Sequence, residues 1–493
     1  MNHPSSLYNS SLSLLTDLYQ LTMAYGYWKA QLMNKEAVFH LYFRRNPFDS
    51  GFSIACGLGS VLDYLDKFCF DESDLAYLSA LQGNDGKPLF EPAFLDYLGQ
   101  LKLTCDIDAM PEGTVAFPHE PLLRVQGPII ECQLLETALL NQINFQTMIA
   151  TKAARVCLAA RGEPVLEFGA RRAQGIDGAL TASRAAYIGG CAATSNVLAG
   201  KLFDIPVRGT HAHSWIMLFD DEMEAFQTYA EAMPNNCVFL VDTYNTLEGV
   251  RKAVEVGKWL REHGHRLVGV RLDSGDLAYL SIEARKILDE GGFQDATIVA
   301  SNDLDETIIG SLKEQGAQIG VWGVGTRLVT GHDQSALGGV YKLSAVRDPG
   351  GAWEPRLKIS EQVAKISNPG IQQVRRYYNE DKSGSLLADV IYDAGADLSD
   401  GCVMVDALDA TRQRRLTGST AWRDLLVPVH RKGKLVYDAP DLHHIREQTR
   451  HHLDSLPAGL KRFVNPHLYP VGLEKSLHRL KTELILNFRK NSR

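Results

Sequence analysis

Between Pro164 and Gly325 short apolar runs alternate with longer amphipathic stretches, and this rhythm limits what the chain can fold into. The runs are PVLEF, IPVRGT, VFLVD, RLVGVRLD, ATIVAS and IGVWGVG, with helical periodicity over Thr246 to His263, Leu277 to Glu290 and Asp303 to Gln315. A further short strand is expected around Gly190 to Ala193. Strands separated by helices pair in parallel, because each crossover returns the chain to the same end of the sheet. Such a sheet stays open and doubly wound or closes into a barrel. Arg171, His213, Asp242, Asp273, Ser301 and Thr326 fall at or just beyond the carboxyl ends of different strands. A closed barrel gathers all those ends at one mouth, whereas an open sheet joins only the strands beside its switch point. An α/β barrel is the expected fold.

The flanks lack this rhythm. Residues 12 to 32 carry Leu14, Leu15, Leu18, Leu21, Thr22 and Tyr25 at helical spacing, leaving Tyr19 on another face. Ala37 to Phe48 alternates as a strand does, and GFSIACGLGSVLDYL reads as strand, turn and helix, with Ser60 as the helix N-cap in preference to a phosphate-cradling Gly-x-Gly. From Cys105 to Ile130 short extended runs are broken by Pro and Gly, and Glu131 to Arg161, free of both, reads as one long buried helix. After Gly338, and again over Trp353 to Asp406, short strands and turns return, and from about Pro440 the tail is helical. The expected organisation is a barrel at 131–340 and a mixed α/β lobe assembled from 1–130 and 341–493. A chain of 493 residues, 45% hydrophobic, supplies more than one core, since single cores stop growing near ~250 to 300 residues.

A net charge of -8 excludes bulk attraction to nucleic acid or anionic lipid, so any basic site is local. The 8 cysteines form no CxxC pair, which fits reduced thiols. The first residues lack a basic n-region before an apolar core, and no apolar run reaches spanning length. A cytoplasmic protein is expected, with neither nucleic acid nor membrane as partner.

Several motifs carry chemistry, each with a plainer alternative. In EFGARR, Arg171 and Arg172 follow a strand, and guanidinium forks suit phosphate oxygens. In GVRLDSGDL, Arg271 precedes Asp273 by two positions and shares its side of the strand. This is either a structural ion pair or a site where Arg271 receives an anion and Asp273 faces a cationic centre, a sugar or a hydrated metal. Asp276 reads as a helix N-terminal charge. In VDTYNTLEGV, Asp242 is an active-site candidate beside capping by Thr243 or Asn245. In GTHAHSW, His211 and His213 share strand parity, and acid-base or nucleophilic work, a structural role and metal ligation are all open. GVWGVGTRLVTG, with Gly323, Gly325 and Thr326, offers backbone amides and a hydroxyl to a phosphate, or is a tight turn. The cluster His443 to His452 and the tail NFRKNSR read as solvated helix surface.

Taken together, LTDLYQLTMAYGYW, EFGARRAQGIDG, TSNVLAGKLFDIPVRGTHAHSW, VDTYNTLEGV, GVRLDSGDL, IVASNDLDE and GVGTRLVTGHDQSALGGVYKL closely resemble nicotinate phosphoribosyltransferase. The resemblance runs to about Leu343, and the region after Lys358 is not diagnostic. Asn245 stands where many members carry an aspartate, and it is given no role. The resemblance implies an irregular α/β barrel of the type II phosphoribosyltransferase kind with a mixed lobe, and a homodimer with shared active sites. It also implies synthesis of nicotinate mononucleotide and pyrophosphate from nicotinate and phosphoribosyl pyrophosphate, with ATP as co-substrate and Mg2+ accompanying both phosphate compounds. Carried over by motif, Tyr19 stacks on the pyridine ring from the neighbouring subunit, and Thr210 and Arg271 hold the carboxylate. His213 becomes phosphohistidine, and Thr326 binds the ribose 5-phosphate. The residue reading adds Asp242 and Asp273 as stabilisers of an oxocarbenium-like transition state, with Arg171, Ser301, Gly323 and Gly325 on the phosphate side. GTHAHSW favours the acid over a nicotinamide-specific relative. A catalytically silent barrel is the reading from another class, and pyrophosphate release discriminates it.

Overall fold

In the computed structural model, which describes residues 11–362, 365–379, 385–407 and 409–491, one sheet has 6 strands, all parallel. Its order is Ala193–Thr194, Val165–Glu167, Val321–Val324, Thr297–Ala300, Gly269–Leu272, Val238–Leu240. The last strand of the series lies beside the first, with Trp322 opposite Val165 and Val324 opposite Glu167. Neighbours that follow chain order around a ring in this way make a barrel, as expected.

The barrel is irregular where IPVRGT was expected to be a full strand. Val207 makes a single bridge to Thr194. Pro206 has no N–H to extend a ladder and only accepts from the Thr194 amide, at 3.0 Å. The amphipathic stretches become Thr246–Glu262, Leu277–Glu290 and Glu306–Glu314, and they bury rows such as Val250, Ala253, Val254 and Leu260.

The barrel and its helices form one compact unit, residues 149–335, and a second takes the chain up to 148 and from 336 onward. The first border falls within the helix Glu136–Ala159. Leu135 separates this helix from Ile129–Leu134, so the single helix expected over Glu131 to Arg161 is two.

In the second unit, Glu36–Phe43 pairs antiparallel with Leu123–Pro128 on one side and Gly339–Arg347 on the other, so both ends of the chain share a sheet of 7 strands. A further sheet of 6 strands comes from the C-terminal part alone, around Tyr377, Ala388, Val390, Met404 and Leu416. Within the stretch Trp353 to Asp406, residues 363–364 and 380–384 lie outside the described set, as do the last two of the tail.

Ser60 is not the N-cap of its helix. The helix Leu58–Asp66 is capped by Gly57 at φ 108°, which turns the chain directly out of the preceding segment, and a Cβ there would sit 2.6 Å from the Gln142 carbonyl. The Ser60 hydroxyl accepts instead from Gln146 Nε2 at 2.9 Å. The histidine-rich helix Leu442–Ser455 buries Leu442, Ile445, Thr449 and Leu453. His443, His444 and His451 are exposed as expected, but His452 is half-buried, with Nδ1 2.9 Å from the Gly113 carbonyl. All 8 cysteines are free thiols. No described helix is long and apolar enough to cross a membrane.

Candidate active site

Three consecutive strand-to-helix connections of the barrel use the same two-part device. The first polar residue after the strand turns into the mouth, and a second, three or four positions on, caps the next helix. Asn245, Asp276 and Asp305 are the caps, accepting from the amides of Glu248 at 3.1 Å, Tyr279 at 3.0 Å and Ile308 at 2.9 Å. These bonds satisfy first-turn N–H groups that have no partner within the helix. The partners of the caps at the mouth are Asp242, Asp273 and Ser301.

Arg271 organises that group. Its Nε donates to Ser301 Oγ, its Nη1 to Thr210 Oγ1 and its Nη2 to Asp273 Oδ1, each at 2.9 Å. The Ser301 hydroxyl donates in turn to Asp273 Oδ1, which closes a ring around the guanidinium edge. Burial forces this company, since the Arg271 side chain is 15% exposed and an inward charge needs partners. Three of the five guanidinium N–H groups are used, and donors on Nη1 and Nη2 are left for a ligand.

His213 opens the short helix His213–Met217. Its Nδ1 lies 3.0 Å from Thr243 Oγ1, and its Nε2 lies 3.8 Å from Asp273 Oδ2 and 4.0 Å from Asp242 Oδ1. The Asp242 side chain is fully buried. Its Oδ2 accepts from the Asp273 amide at 3.0 Å and the Ser274 hydroxyl at 2.5 Å, while Oδ1 is buried without a hydrogen-bond partner. The imidazole faces two carboxylates, and at 39% exposure it remains reachable. Such a ring suits a base or a nucleophile toward phosphorus.

His211 and His213 do not face the same way. Their segment is a loop entering a helix, so strand parity does not apply. The His211 ring packs against Tyr229 at 4.9 Å, and burial pulls its pKa down to about 4. No group of three or more His, Cys, Asp or Glu arranged to hold a metal occurs among the described residues.

The glycine-rich loop adjoins this group through Phe168. The Arg271 guanidinium lies 5.7 Å from the Phe168 ring, and a Cβ on Gly323 would come within 2.8 Å of that ring. The Phe168 amide donates to the Val324 carbonyl at 2.8 Å, and Gly325 would meet the Phe168 carbonyl at 3.1 Å. Thr326 begins the helix Thr326–Val329, which Arg327 ties to Asp305 at 2.5 Å. Arg171 sits on the exposed turn Ala170–Arg172, without a hydrogen bond or ion pair among the described residues.

Thr210, His213, Asp242, Asp273, Arg271 and Ser301 are therefore joined by direct contacts. Tyr19 belongs to the other unit, on the helix Leu18–Lys29, where it is 49% exposed.

Sequence reasoning left several supports unassigned. Thr243, read as a capping candidate, holds His213 instead, and Ser274 holds Asp242. Glu167 is buried, accepting from Ser183 at 2.8 Å and Thr194 at 2.6 Å. Lys152 and Arg155 both reach Glu306 at 2.8 Å, and all three are buried. Two charges three apart on a helix that reads as buried were the visible signal for that cluster.

Three profiles of one family cover the chain: the nicotinate phosphoribosyltransferase N-terminal domain at 14–144, the nicotinate phosphoribosyltransferase family at 164–369 and the C-terminal domain at 371–481. The chain is 44% identical to a nicotinate phosphoribosyltransferase of Bacillus subtilis, over 95% of this chain and 94% of that protein. It is 35% identical to one of Homo sapiens, over 96% of each. The crystal structure of human nicotinic acid phosphoribosyltransferase superposes with a TM-score of 0.82 at 33% identity, covering 95% of this chain and 99% of that one. A nicotinate-nucleotide pyrophosphorylase from Pyrococcus furiosus shares the fold at TM-score 0.68 and 23% identity.

Proposed function

The chain belongs to the nicotinate phosphoribosyltransferase family, and on that premise we propose how its barrel mouth makes nicotinate mononucleotide for NAD biosynthesis. The ring nitrogen of nicotinate attacks C1 of phosphoribosyl pyrophosphate. The C–N bond forms as the C–O bond to pyrophosphate breaks, and the electron pair leaves with pyrophosphate. The nitrogen lone pair needs no deprotonation, so the protein has to orient the ring and stabilise charge.

The observation that carries this reading is the Arg271 fork. Thr210, Ser301 and Asp273 hold it in place while donors remain on its terminal nitrogens. A carboxylate matches that edge, and an uncharged amide matches it less well. Asp273, 28% exposed, and Asp242 behind it supply negative charge for the ribosyl cation that develops as pyrophosphate departs. Their carboxylate oxygens, one of them buried and unpartnered, also suit the magnesium that travels with the phosphate substrates, whose chemistry is to neutralise the leaving group.

His213 accepts the terminal phosphoryl group of ATP, releasing ADP. Water later cleaves the P–N bond, returning phosphate and free imidazole. Phosphorylation adds about two negative charges at the mouth, which Arg171 and Arg172, whose side chains make no ion pair among the described residues, are placed to meet. Thr326, with the close-packed Gly323 and Gly325, takes the ribose 5-phosphate.

Tyr19 comes from a second copy of the chain in a homodimer. Its 49% exposure, beside Leu18 at 52%, leaves it presented to a neighbour, and Ile176, Val197, Met217 and Leu218 are exposed on the barrel unit. A reducing, cytoplasmic setting accords with the free thiols.

The test is nicotinate mononucleotide formation from nicotinate and from nicotinamide, with acid-labile phosphate measured on the protein and on His213→Ala. Preference for nicotinate and loss of labile phosphate in the variant are expected. Preference for the amide, or pyrophosphate release that neither substrate evokes, would overturn the reading.

A further inference from the structure

The barrel has one seam. Its ladder runs unbroken from Ala193–Thr194 round to Val238–Leu240, but after the lone Thr194–Val207 bridge no strand pairing among the described residues joins the chain to Val238–Leu240. A side chain crosses there. The Leu240 amide donates to His211 Nε2 at 3.3 Å.

The His211 ring is 8% exposed and is boxed by Tyr229 at 4.9 Å, Phe226 at 6.3 Å and Phe239 at 6.4 Å. It is thus pinned both by packing and by the amide. To accept at Nε2 the ring must be neutral and carry its hydrogen on Nδ1, which has no hydrogen-bond partner of good geometry.

The location gives this bond its reach. Thr210 and His213 lie on either side of His211 in the chain. Thr210 accepts from Arg271 and donates to the His211 carbonyl at 3.2 Å, and His213 faces two carboxylates. Leu240 precedes Asp242 by two residues on the opposite bank of the seam. With the contact of His213 Nδ1 to Thr243 Oγ1, this bond ties the segment that carries Thr210 and His213 to the strand that leads into Asp242.

We propose that His211 is a positioning residue for the transfer reaction: as a neutral acceptor it closes the barrel seam and sets where Thr210 and His213 stand relative to Asp242. The inference rests on the functional reading of Thr210 and His213 given above. His211 touches neither substrate, and acts only through its neighbours.

Two substitutions separate its parts. His211→Phe fills the aromatic box but accepts no hydrogen bond, and His211→Gln keeps an acceptor. In His211→Phe, with Tm near that of the unaltered enzyme, kcat/KM for nicotinate falls about 10- to 100-fold, as displacement of a catalytic group by about an ångström predicts. Labile phosphate on His213 falls with it. His211→Gln recovers about tenfold of that loss, the worth of one hydrogen bond. Unchanged kinetics and phosphorylation in folded His211→Phe would overturn the proposal, as would equal impairment of both variants. If His211→Phe does not fold, amide hydrogen exchange on the unaltered protein decides. The Leu240 amide is protected if the seam is closed, and exchange at the open-chain rate defeats the idea. That measurement stands apart from the functional reading, which fails separately if the unaltered protein makes no nicotinate mononucleotide.

Discussion

Arg376 and Arg271 each rise from a strand and reach an aspartate at short range, 2.6 Å to Asp389 Oδ2 in one unit and 2.9 Å to Asp273 Oδ1 in the other. Arg376 stands directly across an antiparallel ladder from Asp389, and the two side chains are 3% and 0% exposed. Both Asp389 oxygens accept from the guanidinium. The Tyr469 hydroxyl donates to Asp389 Oδ1 at 2.9 Å, and the guanidinium lies 5.4 Å from the Phe117 ring. Burial and the adjacent Asp389 push the Glu120 carboxyl well above the usual range. Arg271 spends its fork on two hydroxyls and a carboxylate that is itself 28% exposed, and donors are left over. One pair is sealed from solvent, and the other stands partly open to it.

The sharpest way to break this contrast is to remove the closed pair. Asp389→Ala leaves a buried guanidinium unpaired and is expected to cost about 3–5 kcal/mol, read as a fall in Tm, while KM for nicotinate in the remaining folded enzyme stays put. A stable variant with altered KM would mean the two pairs are not different in kind. Glu120→Gln probes the same closure through pH. A carboxyl whose folded pKa is raised contributes stability that is full below the ordinary carboxylate range and is lost as pH rises through the folded pKa. The amide should therefore match the unaltered protein in acid and exceed it at alkaline pH in denaturant titrations.

The open pair should answer in the opposite currency. Arg271→Met is expected to keep Tm within a few degrees but to lower kcat/KM for nicotinate by about 100- to 1000-fold, the usual result of truncating a hydrogen-bonded charge that holds a charged ligand group. Arg271→Lys should recover little, because an ammonium cannot serve Thr210, Ser301 and Asp273 at once. Full recovery by lysine would reduce Arg271 to a point charge.

How far either pair could be read in the sequence follows from how local it is. Arg271 and Asp273, two apart on one strand, were visible as a pair, and so were the helix starts at Asn245 and Asp276, since caps act within one turn. The rhythm of strand and helix gave the barrel, and the polar residues at strand ends gave its mouth. Contacts between distant segments were not legible: Thr243 with His213, Glu306 with Lys152, and Arg376 with Asp389 depend on which strands and loops become neighbours. Parity misled at His211 and His213 because the segment after the lone Val207 bridge is a loop entering the helix His213–Met217, so the two rings part. Ser60 was misjudged because Gly57 takes a left-handed turn and starts the helix early.

Ser301 marks the finest division between a closed and an open pair. From its place at a strand end it was expected beside a phosphate, yet it is 4% exposed, and its hydroxyl accepts from Arg271 Nε while donating to Asp273 Oδ1. If its work is to hold the fork, Ser301→Ala removes one neutral support worth about 1 kcal/mol. KM for nicotinate should then rise about fivefold, with KM for phosphoribosyl pyrophosphate unchanged and Tm barely moved. The opposite split, a higher KM for the phosphate substrate alone, would make Ser301 a phosphate ligand. It would also mean that Arg271 and Asp273 hold their geometry without it, bringing the open pair closer in character to Arg376 and Asp389.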